Sequence, residues 1–339
     1  MINRFYERIL LVLAAGALAD LMAAPMPVRS APSVGKLVLA LGTAPPDITA
    51  HQFYYALENG FYRDEGLELE IKPLVGDQSA VRAIVAGEAD VAWTGFAASL
   101  QAIQAGAQLK GISSTGPKLD YIFVAQKSIA SIRDLVGKNL GISTPGAVSH
   151  QVPRLMMEMA GIDSNRVNVV AVGGSAARVQ ALIARRIDAA VLNSSFAARA
   201  LKYDYLHAIG DAAKDLPTFI YSWEVALRRT TQQKRPAIQA FVTGSIRGAR
   251  WGMQNPDKAT LISQRILPDV PKDEITAGVT HFAEILYWTP DGVLPRESWN
   301  FTVAALLRSD EIRVKMYYPD HFLMDFVKAA NAKLGPFRK

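Results

Sequence analysis

The stretch GDQSAVRAIVAGEADVAWTG (76–95) returns further along the chain as GSAARVQALIARRIDAAVLN (174–193). With Asp90 laid on Asp188, both begin with glycine (Gly76, Gly174) and a polar residue (Asp77, Ser175). Both continue with apolar residues at helical spacing and end in an apolar run after the aspartate. Asp77 or Ser79 in the first copy and Ser175 in the second can cap a helix, and Gly87 can stop the first one. Each copy therefore reads as a turn, a helix and a buried strand.

Working outward, KLVLALG (36–42) is a strand. HQFYYALENGFYR (51–63) carries a helical stripe of Phe53, Tyr54, Leu57 and Phe61, and Gly60 and Gly66 turn the chain into the alternating strand LELEI. A helix is expected over about 97–104. After GPKLDYIFVAQKS the pattern restarts with the strand NLGIS, the loop TPGAVSHQ, a helix to Met159, Gly161 as its stop, and the strand VNVVAV. Strands alternating with helices predict mostly parallel sheets, because parallel strands need crossovers. Beyond LPTFIYSWEVALRR (216–229) long helical patterns dominate, and these are expected to pack back on the first lobe. The expected organisation is residues 34–117 and 216–339 as a discontinuous first lobe and 118–215 as the second. The crossings fall near 113–120 and 209–221.

The chain has 339 residues, half of them hydrophobic, enough for two cores. Residues 1–31 have Arg4 and Arg8, an apolar run from Ile9 to Leu18, and small residues after it, the layout of a secretory signal peptide. The run falls short of the roughly 20 residues of a membrane span. The expected location is the periplasm. No cysteine is present, which removes disulfides, thiolate metal sites, thiol nucleophiles and an acylated N-terminal cysteine. The net charge of +6 is scattered over the chain, with no lysine or arginine run longer than a pair. This reads as a solvated surface and not as a nucleic-acid footprint. The absence of a heptad predicts a monomer.

Three segments resemble one family. YYALENGFYRDEGLELEI matches its pattern of an alanine, a glycine with an aromatic residue, and EGL before a strand. VRAIVAGEADVAWTG resembles the helix and loop that follow, and IRDLVGKNLGISTPGAVSH resembles the opening of its second lobe. The family is the periplasmic solute-binding proteins of ABC importers, in the branch that handles sulfonates, taurine, nitrate and thiamine-pyrimidine precursors. The similarity runs from about Lys36 to Leu334. It implies an α/β, two-lobed type II binding-protein fold with the ligand cleft between the lobes, two crossing connections and closure by a hinge. The implied partners are a small-molecule ligand and an inner-membrane ABC permease, with no cofactor and no metal.

By the resemblance, the ligand-facing loop positions of the first lobe are Thr43, Asp47, His51, Gly76, Asp77, Gln78, Thr94, Gly95 and Phe96. Those of the second are Ser143, Thr144, Gly146, Ser149, Gly174, Ser175, Asn193 and Ser194, and Trp223 flanks the cleft near the return crossing. Asp77, Ser149 and Ser175 also stand where helix caps stand, and the two roles can coexist. Trp93, inside an apolar strand, reads as core. His51 fits either a supporting position or a ligand contact, since the pyrimidine-binding branch has a histidine before a similar stretch. Arg178 could reach an anion, whereas Arg82 reads as a solvated helix face.

Helix N-termini and the hydroxyls of STPGAVSH favour a small sulfonate-like, nitrate-like or carboxylate anion. Tyr54, Phe96, Phe196 and Trp223 would instead suit a ring, a pyrimidine or an aromatic acid. A pyrimidine-synthesising enzyme of the same fold is the alternative from another class. It is marked by a cysteine-rich motif that this chain lacks. GGSAA (173–177) falls short of a nucleophile elbow, and the histidines have no metal-ligand spacing, so binding and not catalysis is expected.

Overall fold

A computed structural model describes residues 31–143, 145 and 147–338. The signal-peptide reading of 1–31 and the site positions Thr144 and Gly146 therefore lie outside the described residues, Ala31 excepted.

Among the described residues, ten strands form two five-stranded sheets. β1 (Gly35–Leu41), β2 (Leu67–Pro73), β3 (Val91–Gly95), β4 (Leu109–Ser113) and β10 (Ser222–Leu227) build the first, in the order β2-β1-β3-β10-β4. β5 (Ile122–Gln126), β6 (Asn139–Ile142), β7 (Asn168–Ala171), β8 (Ala189–Leu192) and β9 (Leu206–Asp211) build the second, in the order β7-β6-β8-β5-β9. The two orders are the same once β6, β7 and β8 are read as the counterparts of β1, β2 and β3. The repeat in the sequence is thus the helix and strand that complete one crossover in each sheet: Asp77–Ala86 with β3, and Ser175–Ile183 with β8.

The aspartate shared by the two copies does the same job in both, and Asp90 Oδ1 also accepts Lys234 Nζ at 2.7 Å. Asp90 Oδ2 accepts the Val38 amide at 3.0 Å while the Asp90 amide donates to the Val38 carbonyl at 2.9 Å. Asp188 does the same to Asn139, at 2.8 and 2.9 Å. Both carboxylates pin the last strand of the unit to the neighbouring strand, next to where the parallel pairing begins at Leu39–Val91 and Leu140–Ala189.

Two features depart from the sequence reading. First, each sheet is mixed. β10 runs antiparallel to β3 and β4, and β5 runs antiparallel to β8 and β9. Each of these strands is the one that enters its sheet after the chain has passed from the other. It arrives at the edge where the parallel strands end, and so can only run back against them. Second, not all of the C-terminal helices keep to the first sheet. Arg235–Gln254 packs on His51–Glu58 and Met324–Leu334 there, but Lys272–Glu284 also packs on Ser194–Ala200, the helix that follows β8. The helix foreseen over 51–63 is broken as well, into His51–Glu58 and Phe61–Asp64, because Gly60 takes φ +72° between them.

The apolar cores follow this plan. One surrounds the first sheet with Leu39, Phe53, Trp93, Trp223 and Phe241, and two cover the faces of the second, around Phe123 and Leu155 and around Val179 and Leu192. A fourth, with Ile48, Tyr55, Phe282, Tyr287 and Trp288, lies under the C-terminal helices. No helix among the described residues is long and apolar enough to cross a membrane.

Replacing Asp188 by alanine removes the acceptor and leaves the half-covered Asn139 amide unpaired. Urea unfolding should show a loss of about 1–3 kcal/mol, and Asp90→Ala should behave alike. An unchanged midpoint for both would show that the pins are not needed to hold the strands.

Candidate functional site

The parallel strands of each sheet end in loops that lead into helix N-termini, where ligands sit in open α/β folds. Here these edges border a cavity of about 560 Å³. Gly76, Asp77, Gln78, Gly95, Ala98 and Gln101 line it from the first sheet's side. Ser143, Pro145, Ala147, Val148 and Gln151 line it from the second's, with Tyr121 and Tyr221 between them.

Asp77 is built into this edge. It is the first residue of its helix, and its Oδ1 accepts the Gly95 amide at 2.7 Å. The Thr94 hydroxyl donates to the Asp77 carbonyl at 3.2 Å. The carboxylate fits only because two glycines make room. A Cβ on Gly95 would lie 2.7 Å from Asp77 Oδ2, and one on Gly42 would overlap Asp77 Oδ1. Burial pushes the Asp77 pKa up to about 6, against the pull of the Gly95 and Thr94 hydrogen bonds. In the second copy the same two positions are Ser175 and Asn193. Ser175 Oγ accepts the Asn193 amide at 3.3 Å and donates to Asn193 Oδ1 at 2.7 Å.

Tyr121 and Tyr221, which the sequence reading did not single out, line the cavity, and two acids act on Tyr121 from outside its lining: Asp120, also not singled out, and Asp47, one of the expected positions. Asp120, on the first crossing, is buried. Its Oδ1 accepts the Ser194 amide at 3.0 Å and its Oδ2 the Asn193 side-chain amide at 3.3 Å. Burial raises its pKa to about 8, with repulsion from Asp47 adding to the effect. Asp47 caps the turn at Ile48–Ala50 by accepting the Thr49 amide at 3.0 Å, and burial raises its pKa too. The charge of Asp47 is felt by Asp77, Asp120, Tyr121, Tyr221 and Tyr287 alike. Tyr121 meets Tyr221 edge to face at 6.3 Å, and Tyr221 meets Trp93 in the same way at 6.1 Å. The local signal for these residues was an acid or tyrosine at the start of an apolar run, LDYIFVA and FIYSWEVA, each just after a proline-containing crossing.

The nearby cation is already engaged. Arg178, 2% exposed, donates to the carbonyls of Val191 (2.7 Å) and Gly173 (2.6 Å) and to Ser175 Oγ (2.8 Å). It braces the second-sheet loop and does not present its guanidinium to the cavity.

Of the positions expected at the ligand, Gly76, Asp77, Gln78, Gly95 and Ser143 line the cavity. Ser149 stands behind Ser143, hydroxyl to hydroxyl at 2.7 Å, and Thr94 stands behind Asp77. Thr43 bonds the Pro45 carbonyl, Gly174 starts the second-copy helix, and Ser175, Asn193 and Ser194 surround Arg178 and Asp120.

Three expectations are corrected. Trp223 is fully buried, with its indole N–H on Ser99 and its ring between Phe96 and Trp299, so it belongs to the core and not to the cleft wall. Phe96 is packed there with it. His51 is buried in the fourth core, its Nδ1 2.8 Å from the Ser263 hydroxyl and its Nε2 3.4 Å from the Pro46 carbonyl. Burial lowers its pKa to about 3, and the ring is neutral.

The comparisons with known proteins agree with this architecture. Residues 48–259 match the NMT1/THI5-like family. The chain belongs to that family. The formylaminopyrimidine-binding protein of Halalkalibacterium halodurans is 23% identical over 216 residues, 62% of this chain and 64% of that one, so the match spans just under two thirds of the relative. The riboflavin-binding protein RibY of Chloroflexus aurantiacus is 23% identical over 319 residues, 89% of each chain. Among solved structures, the periplasmic aliphatic sulphonate binding protein SsuA of Escherichia coli superposes with a TM-score of 0.68 at 14% identity, over 85% of this chain and 92% of that one. The desulfurization enzyme DSZB superposes with a TM-score of 0.66 at 14% identity, over 89% of this chain and all of that one. The periplasmic binding protein fold is thus shared with binders and with an enzyme.

Gly42→Ala should lower stability through its clash with Asp77. The same change in an Asp77→Ala background should cost less, giving a coupling of about 0.5–3 kcal/mol in a double-mutant cycle. Strict additivity in urea unfolding would show that the glycine is not there to seat the carboxylate.

Proposed function

We propose that this chain is the extracytoplasmic solute-binding component of an ABC importer, and that its solute is a neutral or cationic nitrogen heterocycle of the aminopyrimidine class. The observation that carries the second part is the sign of the lining. Asp77 and Glu311 with Tyr121 and Tyr221 line the cavity, Asp47 and Asp120 act on Tyr121 from nearby, and Arg178 is spent on backbone carbonyls. Desolvating a sulfonate or nitrate beside Asp77 and Glu311, with no lysine or arginine among the described lining residues, is unfavourable. Ring N–H and amino groups supply the donors that carboxylates accept, and the tyrosine edges suit a flat ring. This reading departs from the small anion that the helix N-termini alone suggest.

The named relatives support it. The two curated ones are called binders of a formylaminopyrimidine and of riboflavin, both molecules that contain a pyrimidine ring. Transport is supported by a neighbour named as a ligand-binding component of an ABC-type import system. A binding role, as opposed to the chemistry of the enzyme that shares the fold, is supported by the absence of cysteine and by His51 being neutral and tied up in the core.

The test is calorimetry with an aminopyrimidine, its formyl derivative, riboflavin, taurine and nitrate at several pH values. The carboxyl pKa values are raised from 3.8 to about 6 and about 8 in the ligand-free fold. For these groups the folded chain holds protons that the unfolded chain has lost. Ligand-free stability therefore falls as pH rises through this window, and the carboxylates are freed to accept donors. A heterocycle that does not itself titrate should bind more tightly from pH 5.5 to 8, by up to about tenfold per unit for each proton released. An anion would show the opposite slope. Asp77→Asn should weaken the heterocycle about tenfold to hundredfold. Tight binding of taurine or nitrate that improves as pH falls would overturn the assignment.

A further inference from the structure

The covalent links between the sheets are the two crossings, but the structure also makes a third connection. Lys272–Glu284 belongs with the first sheet through its packing on Pro256–Ile266 and its place in the core of Ile48, Tyr55 and Trp288. Its other face lies on Ser194–Ala200 of the second sheet.

Three features make this seam tight. Gly278 lets the helices approach, since a Cβ there would lie 2.9 Å from Ile48 Cδ1 and 3.4 Å from Ser195 Cβ. Arg199 grips Glu274 with two nitrogens, Nε at 2.8 and 3.0 Å and Nη2 at 2.7 Å, and Glu274 is only 3% exposed. A bidentate pair with one partner buried holds geometry far better than an exposed one. Finally, Lys118 on the first crossing bonds the carbonyl of Ile285, just past the end of the helix. The opposite side of the cleft is built differently. There Ala305 of the Arg296–Arg308 helix meets the second-sheet core at Leu155 and Phe219 without a bidentate ion pair among the described residues, and Gln101 and Glu311 face Gln151 and Val148 across the cavity.

We propose that the Lys272–Glu284 helix is a fixed strap and the fulcrum of the cleft, with Gly278, Arg199 and Glu274 as positioning residues. The cleft then opens only on the Gln101–Gln151 side. The same strap holds Ser194–Ala200 in place, and with it the Ser194 amide that anchors Asp120. The proposal rests on the reading of the cavity as a cleft that opens and closes. Its test needs no ligand, so it can fail while the assignment of the solute stands.

The chain has no cysteine, so spin labels can be placed at will. One pair, Asp204→Cys with Lys258→Cys, reports on the seam from exposed positions that leave its ion pairs intact. A second, Arg82→Cys with Met159→Cys, reports across the cleft from exposed helix positions outside the site. Pulsed electron–electron resonance on the ligand-free protein should give a narrow distance distribution for the seam and a broad or two-peaked one across the cleft. Glu274→Gln should broaden the seam distribution towards that of the cleft pair, and the exchanged pair R199E/E274R should narrow it again. Equal widths for the two pairs, or a seam broader than the cleft, would overturn the proposal. So would a Glu274→Gln seam that stays narrow in a protein that is still folded by circular dichroism.

Discussion

Two carboxylates hold the strands on which everything else is hung. A parallel pair joined by a long crossover has no tight turn to set its register, so the register must come from contacts made after the chain has returned. Asp90 and Asp188 supply it by clasping both backbone groups of a residue in the neighbouring strand. A slip of one residue would break the clasp and turn every buried side chain outward. Because the pin lies where the strand begins, the opposite end of that strand is delivered in a fixed place. That end is Gly95, which lines the cavity, in one sheet and Asn193, whose side chain holds Asp120, in the other.

The crossings between the sheets are organised by polar contacts. Buried Glu224 on β10 accepts the Thr115 amide at 3.1 Å and the Thr115 hydroxyl at 2.6 Å, with its pKa raised by burial against these bonds. Ser114 Oγ donates to the Ser222 carbonyl, Ser222 Oγ to the Gly116 carbonyl, and the Tyr221 amide to the Pro117 carbonyl. The outgoing and returning segments are therefore one bonded unit. Satisfied buried polar groups fix a conformation that apolar packing alone would leave loose. This is what brings Tyr121 and Tyr221, one from each crossing, into edge contact between the lobes.

The sequence made the repeated unit legible because its helix has period 3.6 and its strand is a bounded apolar run. β4, β5, β9 and β10 were harder to read. They are not each followed by an amphipathic helix, and their pairing partners lie far away along the chain. The same limit applies to the site. Asp77 and Gly95 stood out inside the repeat. Asp120, Tyr121 and Tyr221 lie on crossings whose position depends on Glu224, more than a hundred residues away from Thr115. Trp223, Phe96 and His51 were misplaced for a related reason. A residue next to a cleft loop in sequence can point into the core on the other side of the strand or helix, and only packing decides which.

The chemical sign of the site follows from how its helix ends are already filled. A free helix N-terminus carries about half a positive charge and attracts anions. In the first lobe the amide of Gly95, which precedes the Phe96–Gln104 helix, is taken by Asp77. In the second the amide of Ser194, which begins the Ser194–Ala200 helix, is taken by Asp120. These two helix ends thus already hold a carboxyl group of the protein's own, whereas the N-terminus of Val148–Met159, whose Ala147 and Val148 line the cavity, has no side-chain cap and no acid in its first turn. Where the carboxyl is ionised, as Asp77 is above about pH 6, its whole charge outweighs the half it neutralises and a solute meets an acceptor there, while Asp120, raised to about 8, stays a neutral carboxyl until higher pH. The same loops that favour anions when empty favour N–H groups once a carboxylate is seated in them.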